Sequence, residues 1–196
     1  MKSTALFQLG GAAMLIAAIL YGVANVLYFA SGQSTAPTSL GLWLAFAGDT
    51  LLVLGLSALY ARQSQRAGIL GLAGYVLLVV ATMFFIGNYA VTQGVVAGLF
   101  TAAQTAQVPT YAFATVVMPW LWFAGLVVFG IATYRAGVFP KYAGALLVLL
   151  AVVMQFNYLS IVAVVFAVLS PVVWGWLGWS LLMEGRVVSR EAVAAV

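Results

Sequence analysis

Apolar residues fill this chain in long blocks, and the polar positions between them are few and clustered. Six blocks can be delimited, at 5–30, 40–61, 68–91, 112–134, 142–156 and 160–183. An α-helix needs ~20 apolar residues to cross the hydrocarbon core of a bilayer, and most of the blocks meet that length. Backbone N–H and C=O groups in lipid must be satisfied within their own segment, so each block is expected to be helical. The fifth and sixth blocks are separated only by Asn157-Tyr158-Leu159-Ser160. One unbroken helix over both would overshoot the membrane by a wide margin. A tight hairpin at 157–160 is therefore expected, with Pro171 inside the sixth helix and kinking it. The third and fourth blocks are joined by residues 92–111, which carry three glutamines and no charge. This long loop is expected either to lie in the outer interface as a short helix or to dip in and back. Long loops in compact proteins are often functional, and a simple interfacial cover fits as well.

Charge placement tests the layout. The seven basic residues are Lys2, Arg62, Arg66, Arg135, Lys141, Arg186 and Arg190. With six crossings, all of them fall at the N-terminus, in the 2–3 and 4–5 turns, and in the C-terminal tail 184–196. The opposite loops carry no charge. That asymmetry is a positive-inside signal and puts both termini on the cytoplasmic side. The fold class expected is all-α: a polytopic membrane helical bundle of six transmembrane helices in a single domain over residues 1–196. Trp43, Trp120 and Trp122 open the second and fourth helices at the outer interface, where an aromatic belt belongs. Trp174, Trp176 and Trp179 are expected to be packing or belt residues. The first block is too long for the 7–15-residue apolar core of a signal peptide, so it reads as a permanent helix.

The chain also resembles itself. Trp43-Leu-Ala-Phe-Ala-Gly48 echoes Trp120-Leu-Trp-Phe-Ala-Gly125, and Arg66-Ala-Gly-Ile69 echoes Arg135-Ala-Gly-Val138. Each Arg-Ala-Gly is followed by an Ala-Gly pair (Ala73-Gly74, Ala143-Gly144) and later by Asn-Tyr (Asn88-Tyr89, Asn157-Tyr158). Gly11 precedes Asn25 by the same interval that separates Gly74 from Asn88. Three helical hairpins of one orientation are expected, at about 5–61, 68–134 and 142–183. A parallel repeat of this kind occurs in some transporters.

Composition then limits the chemistry. Hydrophobic residues make up 66% of the 196 and charged residues 5%, against about 25% charged in a soluble domain. There is no Cys and no His, and the acids are Asp49, Glu184 and Glu191 alone. This removes thiolate chemistry, disulfides, His-ligated haem and almost every zinc or copper site. No Ser-His-Asp or Cys-His set can be assembled, no paired intramembrane carboxylates exist for acid–base work, and no cofactor or metal is expected. The net charge of +4 is explained by topology rather than by nucleic acid.

Asp49 is the residue that stands out. It lies thirteen residues before Arg62, so ~20 Å from the cytoplasmic end at 1.5 Å per residue. An acid at that depth is a functional candidate by default. It borders a face of small residues, Gly41, Ala45, Gly48 and Gly55, and small faces let helices approach closely. Asp49 is therefore expected to point into the bundle, where it can act or simply tie two helices together. Asn25, Asn88 and Asn157 are expected near the outer ends of three helices, with Tyr21, Tyr28, Tyr89 and Tyr158 close by. Together they can line a polar pocket open to the outside, or serve as interhelical hydrogen bonds worth ~1 kcal/mol each.

The stretch Leu54-Gly-Leu-Ser-Ala-Leu-Tyr-Ala-Arg-Gln, with Arg66-Ala-Gly-Ile-Leu-Gly-Leu-Ala-Gly and Val138-Phe-Pro-Lys-Tyr-Ala-Gly, resembles uncharacterised small multi-pass bacterial membrane proteins. The resemblance implies six helices and a bacterial plasma membrane, and it implies no activity. Two classes of function stay open. One is a non-catalytic protein, either a structural or accessory subunit or a binder of lipid or another apolar ligand. The other is a small transporter or channel using Asp49 and the Asn/Tyr set. A membrane enzyme relying on Asp49 alone ranks last. Membrane lipid is the expected partner, with other membrane-protein subunits a further one.

Overall fold

The computed structural model describes the backbone of residues 3–30, 39–96, 98–99, 101, 103–104, 107, 109–156 and 160–194. Within the helices, side chains are described at 5–30, 40–89, 91–92, 116–156 and 161–183. Among the described residues the chain forms five helices: α1 (Ser3–Ala30), α2 (Ser39–Val96), α3 (Pro109–Ala136), α4 (Lys141–Gln155) and α5 (Ser160–Ala194). Four apolar runs are long enough to cross a membrane: Ala5–Ala30, Leu40–Tyr89, Val116–Ala136 and Ile161–Met183. The fourth helix has 15 residues, ~22 Å at 1.5 Å per residue, and falls short of the ~30 Å hydrocarbon core.

The expected second and third spans are present but meet without the expected turn between them. They form one 58-residue run, because the stretch expected to turn, residues 62–67, is itself helical. Gln, Arg and Ala are good helix formers, and nothing in that hexapeptide stops the helix. The break is a single residue, Gly68, at φ 57 and ψ −152. That combination belongs to a region of backbone space that only glycine occupies readily. There the chain folds back on itself. The Ser57 and Tyr75 hydroxyls lie 2.9 Å apart. The rings of Tyr60 and Tyr75 stack with centroids at 4.8 Å. Asp49 and Tyr89, nearly equidistant from Gly68 in sequence, are hydrogen-bonded. In α2, residues 39–67 and 69–96 are thus two antiparallel arms.

The echoed Arg-Ala-Gly triplet does the same work twice. Gly137 follows α3 at φ 60, a left-handed residue just past a helix end that stops it without a Cβ penalty. Pro140 then starts α4, its carbonyl accepting from Ala143 N–H at 2.8 Å. In the 92–111 segment, α2 runs on to Val96. Further on, the Thr101 N–H donates to Gln104 Oε1 at 2.7 Å and the Gln104 N–H to Thr101 Oγ1 at 3.2 Å. This reciprocal pair is a capping box. The expected hairpin residues 157–159 lie outside the described residues.

The helices close into a ring. α5 packs on α1, α1 on the first arm of α2, the second arm on α3, and α3 on α4; of these ring neighbours α4 and α5 make the lightest contact. Small residues set these approaches. A Cβ added to Gly11 would lie 2.7 Å from the Gly178 carbonyl oxygen, and one on Gly178 2.8 Å from that of Gly11. α3 and α4 meet the same way through Gly130 and Gly144. Met14, Leu52, Leu56, Phe129, Leu147, Leu177 and Leu181 fill the centre. Buried Gln63 ties the end of the first arm to α3, donating to Thr133 Oγ1 at 3.0 Å.

Candidate functional site

Asp49 lies mid-helix in the first arm of α2 and is 3% exposed, with its side chain turned into the bundle as the small face beside it requires. The Tyr21 hydroxyl, from α1, donates to Asp49 Oδ1. The Tyr89 hydroxyl, from the second arm, hydrogen-bonds the same carboxyl. One carboxyl thus joins α1 to both arms of α2. A carboxylate taken into an apolar interior costs several kcal/mol unless polar partners replace its water, and two phenols do part of that.

Asn25 reaches across to α5 for a reason written in the sequence. Pro171 has no N–H, so the Ala167 carbonyl four residues earlier loses its helical partner. Asn25 Nδ2 donates to that carbonyl at 3.0 Å. The helix continues through Pro171 because a side chain from α1 replaces the missing bond, as membrane helices require.

These residues border a half-open cavity of about 200 Å³, lined by Tyr21, Ala24, Asn25, Ala45, Asp49, Phe85, Tyr89, Trp122, Met154, Phe166, Ser170 and Trp174. Every helix contributes. The Trp122 ring meets Phe85 edge-on at 6.1 Å and Trp174 edge-on at 6.1 Å. Trp122 Nε1 donates to Thr82 Oγ1 at 3.3 Å, and Thr82 in turn donates to the Leu78 carbonyl. A second cavity of about 170 Å³ shares Ala24, Asn25, Ala45 and Tyr89 with the first and adds Tyr28, Gly41 and Leu42. The two form a strip leading from Asp49 past Asn25, away from Gly68.

The structure brings Asp49, Tyr21, Tyr89 and Asn25 to one cavity, with Tyr28 on its neighbour. Asn88 is not part of it: it lines neither cavity, and its Oδ1 is buried without a hydrogen-bond partner. Asn157 and Tyr158 lie outside the described residues. Trp122 departs from the expected belt, and Trp174, for which packing or belt was expected, is a packing residue. Trp122 is 5% exposed and Trp174 1%, whereas Trp43, Trp120 and Trp179 are more than half exposed. Trp120 and Trp122 are two residues apart, ~200° around a helix, so they cannot share a face. The missed signal is that Trp122, Gly125, Phe129 and Thr133 recur at helical spacing, a face with a glycine and a polar residue on it.

Among the described residues, no group of three His, Cys, Asp or Glu exists that could hold a metal ion. Comparison with protein-family models, curated proteins and solved structures finds no match.

Proposed function

We propose that this chain is a multi-pass membrane protein that holds a small ligand in the Asp49 cavity. The supporting observation is the cavity itself: six helical segments converge on it, and half of its lining residues are aromatic, with one carboxyl among the rest. Binding sites for small molecules have this make-up, an apolar enclosure with a few placed polar groups. A purely structural subunit has no need of such a space, since close packing removes it.

In this reading the two arms of α2 cross separately and α4 completes a set of six crossings. Arg62, Arg66, Arg135 and Lys141 gather at the Gly68 end, which is then the cytoplasmic face with both termini. The shared Arg-Ala-Gly stops support three hairpins of one orientation, and the resemblance noted above supports a bacterial plasma membrane. The strip of cavity running past Asn25 favours a second reading, in which the ligand moves between Asp49 and the outer face.

Native mass spectrometry of the protein in mild detergent tests the binding role. A small molecule should accompany the wild type and be lost from Ala45→Phe, which fills both cavities, while the helical circular dichroism stays the same. A stoichiometric protein partner in place of a small molecule would overturn this reading in favour of an accessory subunit.

A further inference from the structure

We propose that the cavity ligand is a small monovalent organic cation, an alkylammonium or quaternary ammonium ion seated between Asp49 and the indoles of Trp122 and Trp174. The assignment rests on the small-ligand reading above and names its chemistry.

Charge balance comes first. Asp49 is the carboxyl of the cavity, and no lysine or arginine is among the lining residues. Its partners, the hydroxyls of Tyr21 and Tyr89, solvate a carboxylate without neutralising it. A carboxylate offers about four acceptor sites, so two donors leave room for a third group. Intramembrane ionisable groups pair with one another or serve as counter-ions to ligands, and among the described residues no basic side chain lines this cavity.

The wall agrees. Phe85, Trp122, Phe166 and Trp174 line the cavity beside the two tyrosines. Aromatic faces attract cations, tryptophan most strongly, within ~6 Å of the ring centroid. The cavity's volume is below the ~300–1,000 Å³ typical of drug-sized ligands.

Other occupants fit less well. Calcium needs six to eight oxygen ligands, and magnesium a near-ideal octahedral set with several waters. One carboxyl among indoles supplies neither. An anion would face Asp49 directly. A neutral apolar molecule would suit the aromatic wall and gain nothing from a buried acid.

The test compares choline with its neutral carbon isostere, 3,3-dimethylbutan-1-ol, by equilibrium dialysis on the full chain in lipid nanodiscs. Choline should bind roughly tenfold or more tightly than the isostere, the scale of a desolvated cation–π contact with an ion pair. Asp49→Asn, which keeps groups for both tyrosines, should weaken choline about tenfold and leave the isostere unchanged. If that variant does not fold, the wild-type comparison decides alone. Equal binding of the two probes would overturn the cation assignment and leave an apolar-ligand site standing. Binding of neither probe, with a co-purified molecule still lost from Ala45→Phe, would overturn the cation assignment only. Binding of neither probe, with nothing lost from Ala45→Phe, would overturn the ligand site as well.

Discussion

The two ends of the bundle are packed by opposite rules. At the Gly68 end, glycines are contact points: Gly11 faces Gly178, and Gly130 faces Gly144, each with no room for a Cβ. At the Asn25 end two glycines are idle. A Cβ on Gly22 or Gly87 would meet nothing within 4 Å. The same ring of helices is drawn tight at one end and held apart at the other, where Asn25, Tyr21 and Trp122 prop the helices across a cavity. Without a hydrophobic force between helices in lipid, close van der Waals packing at small residues carries association. One end therefore provides the cohesion, and the other is free to stay open.

The sharpest way to break this comparison is to place the same side chain at both ends. Gly11→Leu would drive into the α5 backbone, and overpacking costs about 1–3 kcal/mol, with a backbone clash at the upper end. Against a total stability of ~5–15 kcal/mol, that should lower the thermal midpoint in detergent strongly or prevent recovery of folded protein. Gly22→Leu should leave the midpoint nearly unchanged. Similar losses in the two would show that the ends are not packed differently.

Gly68→Ala should come next. No atom lies within 4 Å of the added Cβ, so the cost is the backbone conformation alone, about 2 kcal/mol. Gly87→Ala, in ordinary helix, should be neutral or slightly stabilising. Thermal unfolding of the pair, followed by circular dichroism, separates a conformational requirement from a packing one.

A smaller effect sharpens the view of the open end. Asn25→Leu strands the Ala167 carbonyl that Pro171 releases, costing about 1–2 kcal/mol. The double variant with Pro171→Ala should recover most of that, because the helical bond is restored. Failure of the second change to rescue the first would separate Asn25 from the proline.

The difference between the ends also marks what the sequence could tell. Helix existence and the mid-helix position of Asp49 were legible, since each depends on composition and spacing alone. The inward turn of Asp49 was legible from Ala45, Gly48 and Gly55 beside it. Rotation of the other helices was not. A helix with lipid on one side and packed neighbours on the other is apolar all round. Its pattern does not say which tryptophan faces in. Hence Trp122 was grouped with Trp120, and Asn88 with Tyr89, although adjacent residues lie ~100° apart on a helix and rarely serve one site. The turn at Arg62–Ala67 was misplaced for another reason. Charged residues there set topology without stopping the helix, and only Gly68 stops it.

Thr82→Val probes the boundary between the ends and should have the smallest effect. Its hydroxyl accepts from Trp122 Nε1 and donates to the Leu78 carbonyl, which also belongs to the helix ladder. Valine has nearly the same shape, so packing is kept and the interhelical hydrogen bond alone is lost. Such bonds average ~0.6 kcal/mol in membrane proteins. Thermal stability should barely move. The freed indole lines the cavity, however, so ring position should respond where stability does not. Near-ultraviolet circular dichroism, which reports tryptophan packing, should change in Thr82→Val and stay as wild type in Thr50→Val, whose hydroxyl bonds only its own helix at Phe46. An unchanged spectrum in both would mean that Phe85 and Trp174 hold the indole without Thr82.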